Sequence, residues 1–152
     1  MFLSTVEKQV DSKRRVLLPQ DFRVAATGGF DGVYCFPSFE GRCLEGGGQA
    51  FLDTYLRMID EFPFGDPVRT AIETSVLGKM VRLSFDTAGR ITLPEPLSVK
   101  LGLTDWVAIV GLGVRFQIWS REAFEARESE QMDVAREGLH AVRAMQRGAP
   151  RP

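Results

Sequence analysis

The side chains best equipped for chemistry stand in a pattern that occurs twice. Residues 11–23 are DSKRRVLLPQDFR, and 75 positions later residues 86–98 are DTAGRITLPEPLS. Each copy has an aspartate, an arginine four residues on, a mostly branched apolar stretch and a proline. The chemistry on offer is anion recognition. Asp11 and Asp86 can accept hydrogen bonds from backbone amides just downstream and so close a turn, leaving the basic side chains at its tip. Gly89, in the fourth position of the second copy, suits the positive φ that such a turn needs. Lys13, Arg14 and Arg15 form a run of three cations, and Arg90 is the counterpart of Arg15.

Two readings stand for each motif arginine. It either pairs with its own aspartate and locks the turn, or it faces outward to an anionic partner. Arg15 is the harder to neutralise, because a single Asp11 cannot balance Lys13, Arg14 and Arg15 together. Arg14 occupies the position where the second copy has Gly89, so either the two turns differ or Arg14 carries strain of about 1 kcal/mol. Ala88 replaces Lys13 in the second copy, which makes that turn electrostatically poorer.

Charge distribution sharpens this picture. The formal net charge of −1 argues against indiscriminate nucleic-acid binding. Residues 1–30 and 76–119 each carry five bases and three acids, a net of +2 apiece, so the remainder holds −5. Positive charge is concentrated in the segments that contain the pattern.

Other chemistries lack their residues. A single histidine, His140, and two cysteines, Cys35 and Cys43, cannot build a zinc site within one chain. The cysteines read either as a disulfide pair or, as a cytosolic setting favours, as two reduced, semi-buried thiols, and His140 reads as a solvated surface residue. No nucleophile, base and orienting group are grouped by any local motif, so no catalytic role is expected. GLGVRF at 111–116 lacks the third glycine and following helix of a dinucleotide site. No cofactor is called for. The longest apolar run, WVAIVGLGV at 106–114, is too short to span a bilayer, and the N-terminus lacks a secretory signal pattern, which points to the cytoplasm.

The elements that must position these residues repeat as well. FDGVYCF (30–36) parallels LTDWVAIV (103–110), a turn leading into a strand rich in branched and aromatic residues. RCLEGGGQAFLDTYL (42–56) parallels RFQIWSREAFEARES (115–129), a short strand followed by a helix. Each unit is expected as strand, tight turn, strand, short helix, strand, strand and longer helix. In the first, STVEKQV is expected to pair across the turn with VLLP. Pro19 and Pro94 open short helices, stopped by Gly28–Gly29 and Gly102. A helix over about 48–61 sets Phe51, Leu52, Tyr55, Leu56 and Ile59 on one face, and Asp66-Pro67 opens another that runs to about Leu77. The last helix follows Ser120, with Phe124, Met132, Ala135, Leu139 and Val142 on a stripe typical of packing on a core or a neighbour.

The doubled Asp-x-x-x-Arg motif, each copy followed by an apolar strand and proline, resembles the MraZ family of bacterial transcriptional regulators. More distantly it resembles the swapped-hairpin domain of AbrB-type regulators and MazE-type antitoxins. The likeness covers nearly the whole chain, including DPVRTAIETSVLGK and RFQIWSREAFEA. It departs from the family pattern at Arg14, where glycine is usual, at Ala88, and in an EGGGQ loop at 45–49.

The resemblance implies an α+β fold: a pseudo-two-fold swapped-hairpin β-barrel of AbrB type with peripheral helices, made from two tandem repeats. Residues 1–62 would be the first repeat with its helix, 63–78 a connecting helix, 79–147 the second repeat with a C-terminal helix, and 148–152 a disordered tail. It further implies a ring-like homo-oligomer that binds double-stranded promoter DNA at guanine-containing direct repeats. Those repeats lie upstream of the division and cell-wall gene cluster, which gives a nucleoid-associated protein with no membrane partner. Lys13, Arg14, Arg15 and Arg90 would be the DNA-binding residues, with Asp11, Asp86 and Gly89 stabilising the turns. An antitoxin-like or scaffold module of the same fold is the alternative.

Overall fold

The computed structural model describes residues 1–148, and these form a mixed α+β protein of two compact units, Met1–Arg121 and Glu122 onward. The first unit holds strands β1 (Thr5–Gln9), β2 (Arg15–Leu17), β3 (Gly32–Pro37), β4 (Leu44–Gly47), β5 (Val81–Ser84), β6 (Arg90–Thr92), β7 (Trp106–Gly111) and β8 (Phe116–Ser120). Its helices are α1 (Gln20–Ala25), α2 (Gln49–Ile59), α3 (Pro67–Val76) and α4 (Glu95–Leu101). The second unit is the body of a single helix, α5 (Arg121–Gly148). The expected tail lies outside the described residues, except for Gly148, which ends α5.

Six strands form one antiparallel sheet in the order β1-β7-β8-β4-β3-β5, and β2 and β6 form a separate pair. The larger sheet is an open series with β1 and β5 at its edges. If each strand is exchanged for its counterpart in the other repeat, this order reads the same backwards. The registers obey the same rule. Val16 faces its own counterpart Ile91, while Arg15 faces Thr92 and Leu17 faces Arg90. At the centre of the sheet, Leu44 faces Ile118 and Glu45 faces Gln117, so exchange again returns the same two pairs.

This pairing corrects the expected local hairpin. β1 does not pair with β2 across the Asp11 turn; it pairs with β7, and β2 pairs with β6. The flanking strands diverge after the turn because each has an apolar side to cover, and the other repeat supplies the cover. Val16, Leu18, Ile91 and Leu93 are fully buried in one cluster with Phe22, Leu103, Phe116 and Ile118. At roughly 1.5–3 kcal/mol for each large side chain, this shared core outweighs any local pairing. Phe2 closes one side, 5.3 Å from the Phe22 ring and 5.2 Å from Phe116, with its backbone held to Gly113.

The glycine-rich stretch at 45–49 is not a loop. Glu45, Gly46 and Gly47 belong to β4, all buried, and a Cβ at Gly46 would meet the Phe116 ring at 2.6 Å. Glycine lets the ring edge of a large aromatic from β8 come close to the neighbouring strand. A smaller cluster of Tyr34, Phe36, Phe51 and Val76 packs α2 and α3 on β3, with Leu52 and Tyr55 against it, whereas Leu56 is exposed. Asp66 caps α3, accepting from Val68 N at 2.7 Å. Arg69 then ties α3 to the preceding chain by donating to the Phe62 carbonyl at 2.6 Å and to Asp60 at 3.1 Å.

Two further expectations change. Gly102 ends α4 at φ +67°, but α1 ends at Ala26 in a right-handed conformation, before the glycines are reached. The stripe on α5 is not buried: none of its residues is, and Met132, Leu139 and Val142 are all about half exposed.

Candidate nucleic-acid interface

Both repeated turns fold alike. In the first, Asp11 N donates to Arg15 O at 3.0 Å and Arg14 N to Asp11 O at 3.0 Å; in the second, Asp86 N donates to Arg90 O and Gly89 N to Asp86 O, both at 2.9 Å. The aspartate side chains do the same work in each. Asp11 Oδ1 accepts from Lys13 N at 2.9 Å and Arg15 N at 2.8 Å. Asp86 Oδ1 accepts from Ala88 N at 3.0 Å and Arg90 N at 2.8 Å. These backbone donors, the N–H of Arg15 and of Arg90 first, hold both carboxyls below their ordinary pKa, helped by the guanidinium beside each.

The matching geometry settles the conformation of Arg14. Gly89 has φ +84° and Arg14 has φ +62°, so Arg14 does carry the left-handed strain, about 1 kcal/mol. Its own contacts offset part of this. Arg14 Nε donates to Leu93 O at 3.1 Å, and Leu93 N donates to Arg14 O at 2.8 Å. Both are bonds from the first turn to the second repeat.

The motif arginines both pair with their aspartates. Arg15 Nε lies 2.7 Å from Asp11 Oδ2, and Arg90 Nε lies 2.8 Å from Asp86 Oδ2. Arg15 is thus held as closely as Arg90, against the expectation that it would be the less neutralised. Each guanidinium remains about one-third exposed. Lys13 is exposed, and among the described residues neither Lys13 nor Arg14 lies within ion-pair distance of a carboxylate.

Pairing of β2 with β6 brings the two motifs together. Arg90 Nη1 comes within 4.0 Å of Asp11 Oδ2. Lys13, Arg14, Arg15, Arg90, Asp11, Asp86 and Gly89 therefore belong to two adjoining turns joined through one short sheet. An array with this geometry offers partly exposed, aspartate-oriented guanidinium groups beside unpaired cations, which suits a phosphate-rich partner.

One residue escaped the sequence analysis. Arg23 of α1 lies across the second turn, so that a Cβ at Gly89 would run into its Nη1 and Cζ. A comparison of the two copies position by position contains the clue: Arg23 in the first aligns with Ser98 in the second.

The other residues with chemical potential lie outside the two turns. Cys35 and Cys43 are both buried free thiols, and burial pushes the Cys43 thiol up to about 12 and Cys35 higher still. His140 is exposed on α5. Among the described residues no group of three or more histidine, cysteine or acidic side chains could hold a metal ion, and no helix is long and apolar enough to cross a membrane.

Comparison with known proteins bears on the same residues. Residues 76–144 match a family model described as "MraZ protein, putative antitoxin-like". The chain is 64% identical over 149 residues to the transcriptional regulator MraZ of Caulobacter vibrioides, covering 98% of this chain and 96% of that protein. It is equally 64% identical to the protein of the same name from Phenylobacterium zucineum, over 98% of this chain and 93% of the other. The Parvibaculum lavamentivorans protein of that name is 41% identical over 82% of this chain and 79% of its own length. With both paired turns, the central sheet and the connecting helix inside an alignment of that depth, the chain belongs to the MraZ family of transcriptional regulators.

Proposed function

We propose that the chain is a sequence-specific DNA-binding regulator that grips the double helix with its two Asp-x-x-x-Arg turns. One observation carries this reading: two turns of the same geometry adjoin, and Lys13 and Arg14 beside them have no carboxylate partner among the described residues. Arg15 reads guanine through O6 and N7, the commonest specific contact to a base edge, and Asp11 fixes its guanidinium plane for that task. Lys13 and Arg14 hold phosphates, and Arg90 is the secondary reader.

The finer architecture is a swapped-hairpin β-barrel in which repeat 1–62 and repeat 79–147, joined through 63–78, each complete the other. The exchange-symmetric strand order supports it. With a net charge of −1, one chain holds a short site weakly. A ring-like homo-oligomer that displays many turns would gain roughly 10²–10⁴ in avidity on evenly spaced direct repeats. Family resemblance supports guanine-containing repeats ahead of the division and cell-wall gene cluster, including the promoter of the protein itself, and a cytoplasmic, nucleoid-associated protein.

The test is binding to DNA from upstream of its own gene, with the guanines of each repeat altered one repeat at a time. Salt-sensitive binding that weakens with each altered repeat is the expected result. Arg15→Ala should abolish it without changing the size of the oligomer. Binding indifferent to the guanines, or unaffected by Arg15→Ala, would refute the assignment.

A further inference from the structure

We infer that Arg23 supplies the second turn with the phosphate-binding cation that its own sequence lacks; this rests on the DNA-binding reading above. The second turn has Ala88 and Gly89 where the first has Lys13 and Arg14, so its local charge is only Asp86 against Arg90. Arg23 makes up the difference from the other repeat. Its side chain lies lengthwise on the turn, since a Cβ at Gly89 would meet its Nη1, Cζ and Cδ, and Gly89 is buried beneath it although its neighbours Thr87 and Ala88 are exposed. Arg23 is itself only partly buried, and its Nε makes no hydrogen bond. Among the described residues no carboxylate stands within ion-pair distance of it. A structural arginine would be expected to satisfy itself on an acid or a carbonyl, as Arg69 does.

The two repeats solve the same problem in opposite ways. Arg23 and Ser98 are equivalent, each the fourth residue of a helix that follows a proline cap. Gly89 and Arg14 are equivalent in their turns. One tip combines a glycine in the turn with an arginine on the facing helix. The other combines an arginine in the turn with a small, buried serine on the equivalent helix. Arg14 also reaches that helix, through its bond to the Leu93 carbonyl just before the Pro94 cap. Each tip therefore carries one extra guanidinium, and the glycine is needed to make room for the one that comes from outside.

This arrangement dictates its own test. Equilibrium binding to the upstream DNA is measured over a salt series for the unmodified chain, for Arg23→Ser, and for the double variant Arg23→Ser with Gly89→Arg, which rebuilds the first tip on the second. Arg23→Ser should weaken binding several-fold and lower the slope of log affinity against log salt by about one, the signature of one lost phosphate contact. The double variant should recover both. An Arg23→Ser chain that keeps its affinity, or loses affinity with the slope unchanged, overturns the inference, as does a double variant as weak as the single one. Failure of the unmodified chain to bind at all would instead sink the DNA reading, and this inference with it.

Discussion

Arg90 Nη1 lies 4.0 Å from Oδ2 of Asp11, a carboxylate from the other repeat that already holds Arg15 Nε at 2.7 Å. Asp11 is thus shared between the two motifs, while among the described residues the only arginine within ion-pair distance of Asp86 is Arg90. Loss of Asp11 should disturb both tips. Asp11→Asn is expected to weaken DNA binding more than Asp86→Asn, and titration of labelled upstream DNA with each variant checks the order.

Acid should dissolve the turns. Both aspartates have folded-state pKa values below the ordinary carboxylate value, set first by backbone donors. Their contribution to stability is therefore complete above about pH 4 and lost as pH falls through the lowered values. An Asp86→Asn chain should melt below the unmodified protein at pH 7. The gap should close at acid pH, as thermal unfolding over a pH series would reveal.

Arg14 trades strain for contact. Arg14→Gly relieves about 1 kcal/mol of left-handed strain but forfeits the bond to Leu93 O, itself about 1 kcal/mol. Stability by denaturant titration should change by less than about 1 kcal/mol, while DNA affinity falls with the lost charge.

Glycine in the central strand is a packing requirement. In Gly46→Ala the new methyl would stand 2.6 Å from the Phe116 ring and 3.1 Å from Cys35 Sγ, all in the buried core. The expected cost is about 1–3 kcal/mol. Gly41→Ala, with nothing within 4 Å of the added Cβ, should cost only about 1 kcal/mol, for its φ of +69°. Chemical denaturation of the two variants side by side measures the difference.

The first unit should stand without α5. Among the described residues every buried one lies between Phe2 and Ser120, and none belongs to α5. A chain ending after Arg121 should keep its strand signal by circular dichroism and a single cooperative transition. Loss of that transition would show that α5 supports the sheet.

Much of this was legible beforehand because it depends on short-range chemistry. The turn is encoded by an aspartate and its own downstream amides, so both tips and their members could be named from the residues alone. Elements with strong local signals were equally plain, such as the Asp66-Pro67 start of α3. What the residues left out was pairing across the chain. Nothing local in STVEKQV says that it seeks β7 rather than VLLP; that choice is made by a core assembled from both repeats. The EGGGQ stretch misled for a related reason. Three glycines suggest a loop, yet each makes room for a neighbour: Gly46 for Phe116, 70 residues away, Gly47 for Phe51 and Gly48 for the Ala26 backbone. Arg23 was overlooked because it touches its turn only through that same long-range assembly.

The mirror order of the strands has an evolutionary corollary. A half-length chain that had to meet a copy of itself to complete such a sheet would be compelled to bear the same residue at both tips. Tandem fusion lifts that compulsion, and the glycine at 89, standing where the first copy has an arginine at 14, is a divergence closed to two identical half-chains.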